Sequence, residues 1–367
     1  MAQVPFLNLK AAYEELKPAL DEALLRTAAS GWYLLGDALK TFEAAYAAHT
    51  QTAHCVGVAN GLDALHLGLA ALGVGPGDEV IVPSNTYIAT WLAVSAVGAV
   101  PVPVEPDEAT FNLDPARIRA ALTSKTRVIL PVHLYGRPCD MGAIMALAHA
   151  HGLKVLDDAA QAHHAHYRGK PVGGLAHLTA WSFYPGKNLG AFGDGGAVTT
   201  DDPALADRVR VLRNYGSRVK YVNEVKGMNS RLDDVQAAVL SAKLPHLAKW
   251  NARRTALANR YLEALQGLPL TLPSMSSVEQ SAWHLFVVRA PHRDALQKAL
   301  KERGVDTLIH YPIPPFLQDA YAEFRPRAAE FSLAAQMAKD VLSLPMGPHL
   351  SIAEQDHVIA AVKASLS

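Results

Sequence analysis

Seven short apolar runs recur along the chain, from His54 to Ala59, Glu79 to Pro83, Val100 to Val104, Arg127 to His133, Lys154 to Leu156, Leu178 to Phe183 and Gly196 to Thr199. Most of the intervals are long enough for a crossover helix, as from Ala116 to Leu122 and from Met141 to His151. Parallel strands need such crossovers, whereas antiparallel neighbours can be joined by a tight turn. Runs that are apolar throughout, without alternation, are buried on both faces. The pattern therefore predicts an α/β fold with a central, mostly parallel seven-stranded sheet. Ligands of such sheets gather beyond the carboxyl ends of the strands. The residues expected there are Gly61 and Asp63, Ser84 to Tyr87, His133 to Gly136, Asp157 to Gln161, and Ser182 to Lys187.

The last of these groups displays an amine. The strand-like run ending at Phe183 stops at Pro185-Gly186 and delivers Lys187 into a loop containing Gly190, Gly193, Gly195 and Gly196. A lysine desolvated in such a loop can lose its proton near neutral pH and condense with a carbonyl. Asp158 directly follows the apolar pair Val155-Leu156 and its neighbour Asp157, at a strand end. A carboxylate at that depth needs a cationic or hydrogen-bonding partner. The turn Asn60-Gly61, followed by apolar residues at helical spacing up to the C-terminal Gly73, is a candidate anion cradle. An imine-forming lysine, an acid for a ring nitrogen and a phosphate cradle are the parts a protein supplies to pyridoxal 5'-phosphate.

A chain of 367 residues exceeds one ordinary core. A large unit over residues 1–245, with the N-terminal segment, and a smaller C-terminal α+β unit over 246–367 are expected. Helices are expected from Leu16 to Leu25, near Asp233, from Lys243 to Leu265, and finally near Ala329 to Leu342. In the smaller unit Leu285 to Val288, Arg293 to Arg303 and Thr307 to His310 read as strand, helix and strand. Lys+Arg and Asp+Glu balance at 34 each, which leaves no broad basic footprint for nucleic acid or an anionic membrane. Cys55 and Cys139 form no metal-type spacing. His163, His164, His166 and His177 match no zinc pattern, so no metal is expected. With no export signal and no membrane-length run, a cytoplasmic protein is expected. The basic residues Lys249, Arg253, Arg254 and Arg260 read as a solvated or dimer-facing helix surface.

Six ordered blocks carry a family resemblance: VIVPSNTYIAT from Val80, PVHLYGRPCDM from Pro131, DDAAQAHHA from Asp157, SFYPGKNLGAFGDGGAV from Ser182, GMNSRLDDVQAA from Gly227 and HYPIPPFLQDAY from His310. Together they resemble the DegT/DnrJ/EryC1/StrS sugar aminotransferases, of pyridoxal-phosphate fold type I, the aspartate aminotransferase-like fold. The resemblance implies that Lys187 forms the imine and moves protons, and that Asp158 pairs with the pyridinium. It implies cofactor contacts from Gly61, Leu62, Asp63, Gln161 and Ser182, and a stacking aromatic at Tyr87. Asn229 matches a residue that reaches the phosphate from the neighbouring subunit, which implies a homodimer with shared active sites. Tyr184, His310 and Tyr311 fall on substrate-facing positions.

Ser-Phe-Tyr rather than Ser-Phe-His before the lysine block resembles relatives acting on 3-keto nucleotide sugars. The expected reaction is therefore transfer of an amino group from an amino acid, L-glutamate, to C3 of a dTDP-linked keto-6-deoxyhexose. A 4-keto sugar or a 3-keto uronic acid is the alternative acceptor, and a non-catalytic, cofactor-binding regulator is the alternative of another class. The chain departs from the family pattern at Leu62, often Ser or Thr, at His164, often Gly, and at Phe316, where a histidine near the substrate is common.

Overall fold

The computed structural model describes residues 3–274 and 277–366. Its centre is a seven-stranded sheet built from β1 (His54–Val58), β2 (Glu79–Pro83), β3 (Val100–Val104), β4 (Thr126–Ile129), β5 (Lys154–Asp158), β6 (Leu178–Ser182) and β7 (Gly196–Thr200). Across the sheet the order is β1-β7-β6-β5-β4-β2-β3. Strands β3, β2, β4, β5 and β6 pair in parallel, and β7 alone runs antiparallel to both of its neighbours. The carboxyl ends of β1, β2, β5 and β6 therefore lie along one edge.

Two strand limits differ from the expectation. The ladder of β4 stops at Ile129, and Pro131, which has no N–H to give, follows. Only a lone bridge between Val132 and Asp158 continues it. Conversely, β5 extends through Asp157 and Asp158, so both carboxylates sit on the strand and point to opposite faces.

Helices cover both faces. The first, α1 (Leu9–Ser30), is longer than its apolar stretch suggests, because Asn8 caps it by accepting from Ala11 N–H at 3.1 Å and Gly31 ends it with φ 67°. A second, α2 (Asp37–Thr50), was not anticipated. It starts where the buried Asp234 carboxylate accepts from the N–H groups of Gly36 and Leu39, a cap supplied from almost two hundred residues away. Then come α3 (Gly61–Ala71), α4 (Ile88–Ala96), α5 (Pro115–Ala121), α6 (Met141–Ala150) and α7 (Pro203–Leu212), followed by α8 (Asp234–Lys243) and α9 (Leu247–Ala264). Pro245 falls in a 3-10 turn between the last two.

The C-terminal part keeps its own apolar core, in which Leu257, Tyr261, Phe286, Leu300, Leu342 and Val362 are buried together with Val4 from the amino end. Here β8 (Phe286–Arg289) and α10 (Arg293–Glu302) match the expectation. Thr307 to His310 does not form a strand, and Leu308 makes only an isolated bridge to Ser343. The expected last helix is shorter, α11 (Ser332–Asp340), because the run Val341-Leu342-Ser343-Leu344 is completely buried and becomes β9 (Val341–Leu344), paired with β8. A further helix, α12 (Ile352–Leu366), ends the fold.

Candidate active site

Lys187 and Asp158 face each other's charge beyond the carboxyl ends of β5 and β6. The loop bearing the lysine is tightly folded. Its N–H donates to Tyr184 C=O at 2.8 Å, and a methyl group at Gly190 would strike the Pro185 carbonyl oxygen at 2.3 Å. Burial lowers the Lys187 amine from its ordinary value to about 8, against the opposing pull of Asp158. Among the described residues no acceptor holds Nζ. The amine is thus within about one pH unit of losing its proton at neutrality, as a reactive lysine requires.

Asp158 is buried. Its carboxylate accepts from Ala160 N–H at 3.1 Å and from Thr90 Oγ1 at 3.2 Å. Burial pushes its titration upward in spite of those bonds and of Lys187. Its neighbour Asp157, on the opposite face of the sheet, meets His133 Nε2 at 3.0 Å. Since Nδ1 of His133 accepts from Cys139 N–H at 2.9 Å, Nε2 carries the proton and donates it to Asp157.

The cradle lies at the start of α3. The Asn60 side chain accepts from Asp63 N–H at 2.8 Å, and Asn60 C=O accepts from Ala64 N–H at 3.1 Å. Among the described residues the N–H groups of Gly61 and Leu62 have no acceptor, so these two amides, and not that of Asp63, are open to an anion. A methyl group at Gly61 would lie 2.6 Å from Ser182 Cβ. Only glycine lets the helix terminus meet the serine hydroxyl this closely, and two amides, one hydroxyl and the helix dipole converge there.

Gln161 is already engaged, accepting from Tyr135 N–H at 2.6 Å and donating to Tyr311 Oη at 3.1 Å. The Tyr311 ring stands 5.1 Å from that of Tyr87, which is half exposed. His310 bonds Ser343 Oγ at 2.8 Å through Nδ1, and its carbonyl accepts from Tyr135 Oη. Tyr184 is 59% exposed at the mouth. Asn229 stands apart: it is exposed, bridges Asn214, and makes no hydrogen bond to Lys187 or Asp158 among the described residues.

These positions fit pyridoxal phosphate on the chemistry of this chain. An acid whose buried charge has no cation in hydrogen-bond contact among the described residues matches a protonated ring nitrogen, and the open amides with Ser182 match a phosphate. Sequence reasoning placed Tyr135 at this edge without a role and gave none to Thr90, Asn188 or His284, because each acts through contacts distant in the chain. A signal existed for Tyr135 in its neighbour Gly136, since both residues adopt positive φ.

Two departures acquire physical meaning. His164 holds a left-handed φ of 62°, a conformation that glycine adopts freely. Phe316, expected near the substrate, is instead completely buried, with its ring 5.0 Å from that of Phe331, and it packs the core. The basic face expected on α9 also divides: Lys249 and Arg253 pair with Glu15, Arg260 with Asp356, while Arg254 is buried.

Several histidines are held neutral by burial, with His49 and His310 lowered to about 4 and His163 to about 3. A histidine lowered in the fold contributes stability that is present above its unfolded value near 6.5 and lost as pH falls. Between pH 7 and 5.5 each of the three should cost about 1 kcal/mol. The thermal unfolding midpoint should therefore drop by several degrees over that window, and a midpoint that holds or rises would refute the assignment.

The DegT/DnrJ/EryC1/StrS aminotransferase family model matches residues 14–363. The erythromycin biosynthesis sensory transduction protein EryC1 of Saccharopolyspora erythraea is 58% identical over 98% of this chain and 99% of its own length. The dTDP-3-amino-3,4,6-trideoxy-alpha-D-glucose transaminase of Streptomyces venezuelae is 57% identical over 98% of this chain and 96% of its own. The crystal structure of S. venezuelae DesV in complex with a ketimine intermediate superposes with a TM-score of 0.97 at 56% identity, covering 99% of this chain and 98% of that one.

Proposed function

The chain belongs to the DegT/DnrJ/EryC1/StrS aminotransferase family, and from that premise we propose that it transfers an amino group from L-glutamate to C3 of a dTDP-linked keto-6-deoxyhexose. The observation that carries this reading is a desolvated Lys187 within the electrostatic reach of a buried Asp158, beside the open amides of Gly61 and Leu62. The likeness to a transaminase named for a dTDP-3-amino sugar supports the choice of carbon and nucleotide.

Gly61 and Leu62 N–H, with Ser182 Oγ, would hold the cofactor phosphate. Asp158 would accept from the ring nitrogen, Gln161 would bond the ring oxygen, and Tyr87 would cover one ring face. When bound, pyridoxal phosphate supplies an aldehyde that takes up the donor's amine and a ring that withdraws electrons from the reacting carbon. Lys187 Nζ would carry a proton from one cofactor-linked carbon position to the other, which an amine lowered to about 8 can do in both directions. Tyr184, His310 and Tyr311 face the sugar. Residues 1–245 form the cofactor-holding unit and residues 246–367 the smaller unit closing over it.

Asn229, exposed and apart from Lys187 within one copy, would serve the phosphate of a partner subunit in a homodimer. The exposed rings of Trp32, Tyr33 and Tyr221 are consistent with such an interface. A cytoplasmic setting accords with two free, buried cysteines. No described helix is long and apolar enough to cross a membrane.

A regulatory reading is favoured by the description of EryC1 as a sensory transduction protein. One experiment decides. Incubation of the cofactor-loaded protein with L-glutamate should convert the cofactor to its aminated form, and a keto-sugar panel should then yield an amine that NMR locates at C3. An unreacted cofactor would support the regulator, and an amine at C4 would overturn the choice of carbon.

A further inference from the structure

Asn188, the residue after Lys187, is buried and fully bonded to the C-terminal part of the chain. Its Nδ2 donates to Asn251 Oδ1 at 2.9 Å and to Ala282 C=O at 2.8 Å. Both amide hydrogens are then spent, so Oδ1 is an acceptor and His284 Nδ1, 3.0 Å away, must carry the hydrogen that it receives. In the neutral tautomer this leaves His284 Nε2 as a bare lone pair, to which no described residue donates. The backbone under the ring is itself fixed. Arg254 Nη1 donates to the carbonyls of Trp283 and His284, each at 3.2 Å, and Ala282 N–H donates to Gly136 C=O at 2.8 Å. On the far side of the loop Lys243 Nζ donates to Gly190 C=O at 2.6 Å.

We propose that His284, as a neutral imidazole, is a positioning residue for Lys187: through Asn188 it clamps the lysine loop to the segment 282–284 and keeps the amine out of water. The inference rests on reading Lys187 as the reactive amine. The charged and titratable groups around the ring are Lys187, Arg254, His310 and His163, and with burial they oppose a second proton on it. A doubly protonated ring would still donate through Nδ1, but it would set a cation beside Lys187 and Arg254, so neutrality suits the clamp to its place. Loss of the clamp admits water to the loop, and a solvated lysine returns toward its ordinary value near 10.4.

The test uses the full-length protein freed of cofactor. Acetic anhydride acylates the free amine across a pH series, and mass spectrometry follows the peptide containing Lys187. The wild type should show a midpoint near 8. His284→Ala and Asn188→Ala should each raise it by about one pH unit or more. His284→Asn, whose Nδ2 can donate where Nδ1 did, should keep the wild-type midpoint. A purely structural loss would lower the unfolding temperature without moving the midpoint. An unmoved midpoint in both alanine variants, or an equal rise in His284→Asn, overturns the clamp. An ordinary lysine profile in the wild type instead overturns the reading of Lys187 and, with it, this one.

Discussion

Replacement of Lys187 by alanine is expected to lower kcat by at least about ten-thousand-fold while leaving the chain folded. The amine lies at this edge of the sheet without an acceptor among the described residues, and burial prepares it to exchange a proton near neutrality. Its titration also predicts stability. A lysine lowered in the fold contributes stability above its unfolded value of 10.5, which is lost as pH falls through about 8. At pH 7 the protonated amine therefore costs the cofactor-free protein about 2 kcal/mol, after allowance for partial access to water. Lys187→Ala should relieve most of that cost and match or exceed the wild type in thermal midpoint. The cofactor's lysine-dependent long-wavelength absorption should vanish. An alanine variant that keeps that absorption, or retains a tenth of wild-type turnover, would remove Lys187 from the role.

Much of this site could be read from the sequence because its parts are local. Asp158 ends β5 and Ser182 ends β6, where an apolar run followed by a polar residue points to each, while the candidate cradle at Gly61 and Leu62 is legible as a glycine turn between β1 and α3. Parallel strands brought those ends to one edge without further information. What escaped depends on contacts distant in sequence. The helix Asp37–Thr50 is capped by Asp234, and the Lys187 loop is anchored by Asn251 and His284, which no periodicity announces. Asp63 reads as part of the cradle from its place at the helix start, yet its N–H is already taken by Asn60.

The errors in the C-terminal part have a similar cause. Ala329 to Leu342 reads as one helix from its spacing, but the chain leaves the helix at Asp340 so that Val341 to Leu344 can pair with β8. Tertiary pairing overrode local propensity there. Phe316 illustrates the opposite limit of resemblance. A residue inside a matched block need not face the site, and the bury of this ring against Phe331 assigns it to packing. His164 keeps its place at a left-handed position at a strain glycine would not incur, and its ring lies 5.1 Å from that of His49.

Asp158→Asn separates function from stability, since the two should move in opposite directions. The carboxylate is buried with a hydroxyl and an amide donor but no cation in hydrogen-bond contact, and burial raises its titration. An acid raised in the fold is bound to its proton more tightly there than in the unfolded chain. Its penalty is absent below the unfolded value of 3.8 and grows as pH rises through the folded one. At neutral pH the cofactor-free protein thus holds a poorly compensated charge, and the amide should stabilise it by about 1–2 kcal/mol. Ala160 N–H can still donate to Oδ1 of asparagine, and Thr90 Oγ1, which faces the other carboxylate oxygen, can accept from Nδ2 while keeping its bond with Thr86, so the fold loses little. Turnover should fall by about a thousand-fold, because a neutral amide cannot keep a ring nitrogen protonated. Denaturant unfolding of the cofactor-free variant and steady-state turnover of the loaded one measure the two effects separately. A variant that is less stable at pH 7 and equally active would refute both the burial penalty and the pairing. A variant more stable and inactive is the expected result, and it identifies the instability of Asp158 as the cost of keeping an ion ready for a partner that arrives with the cofactor.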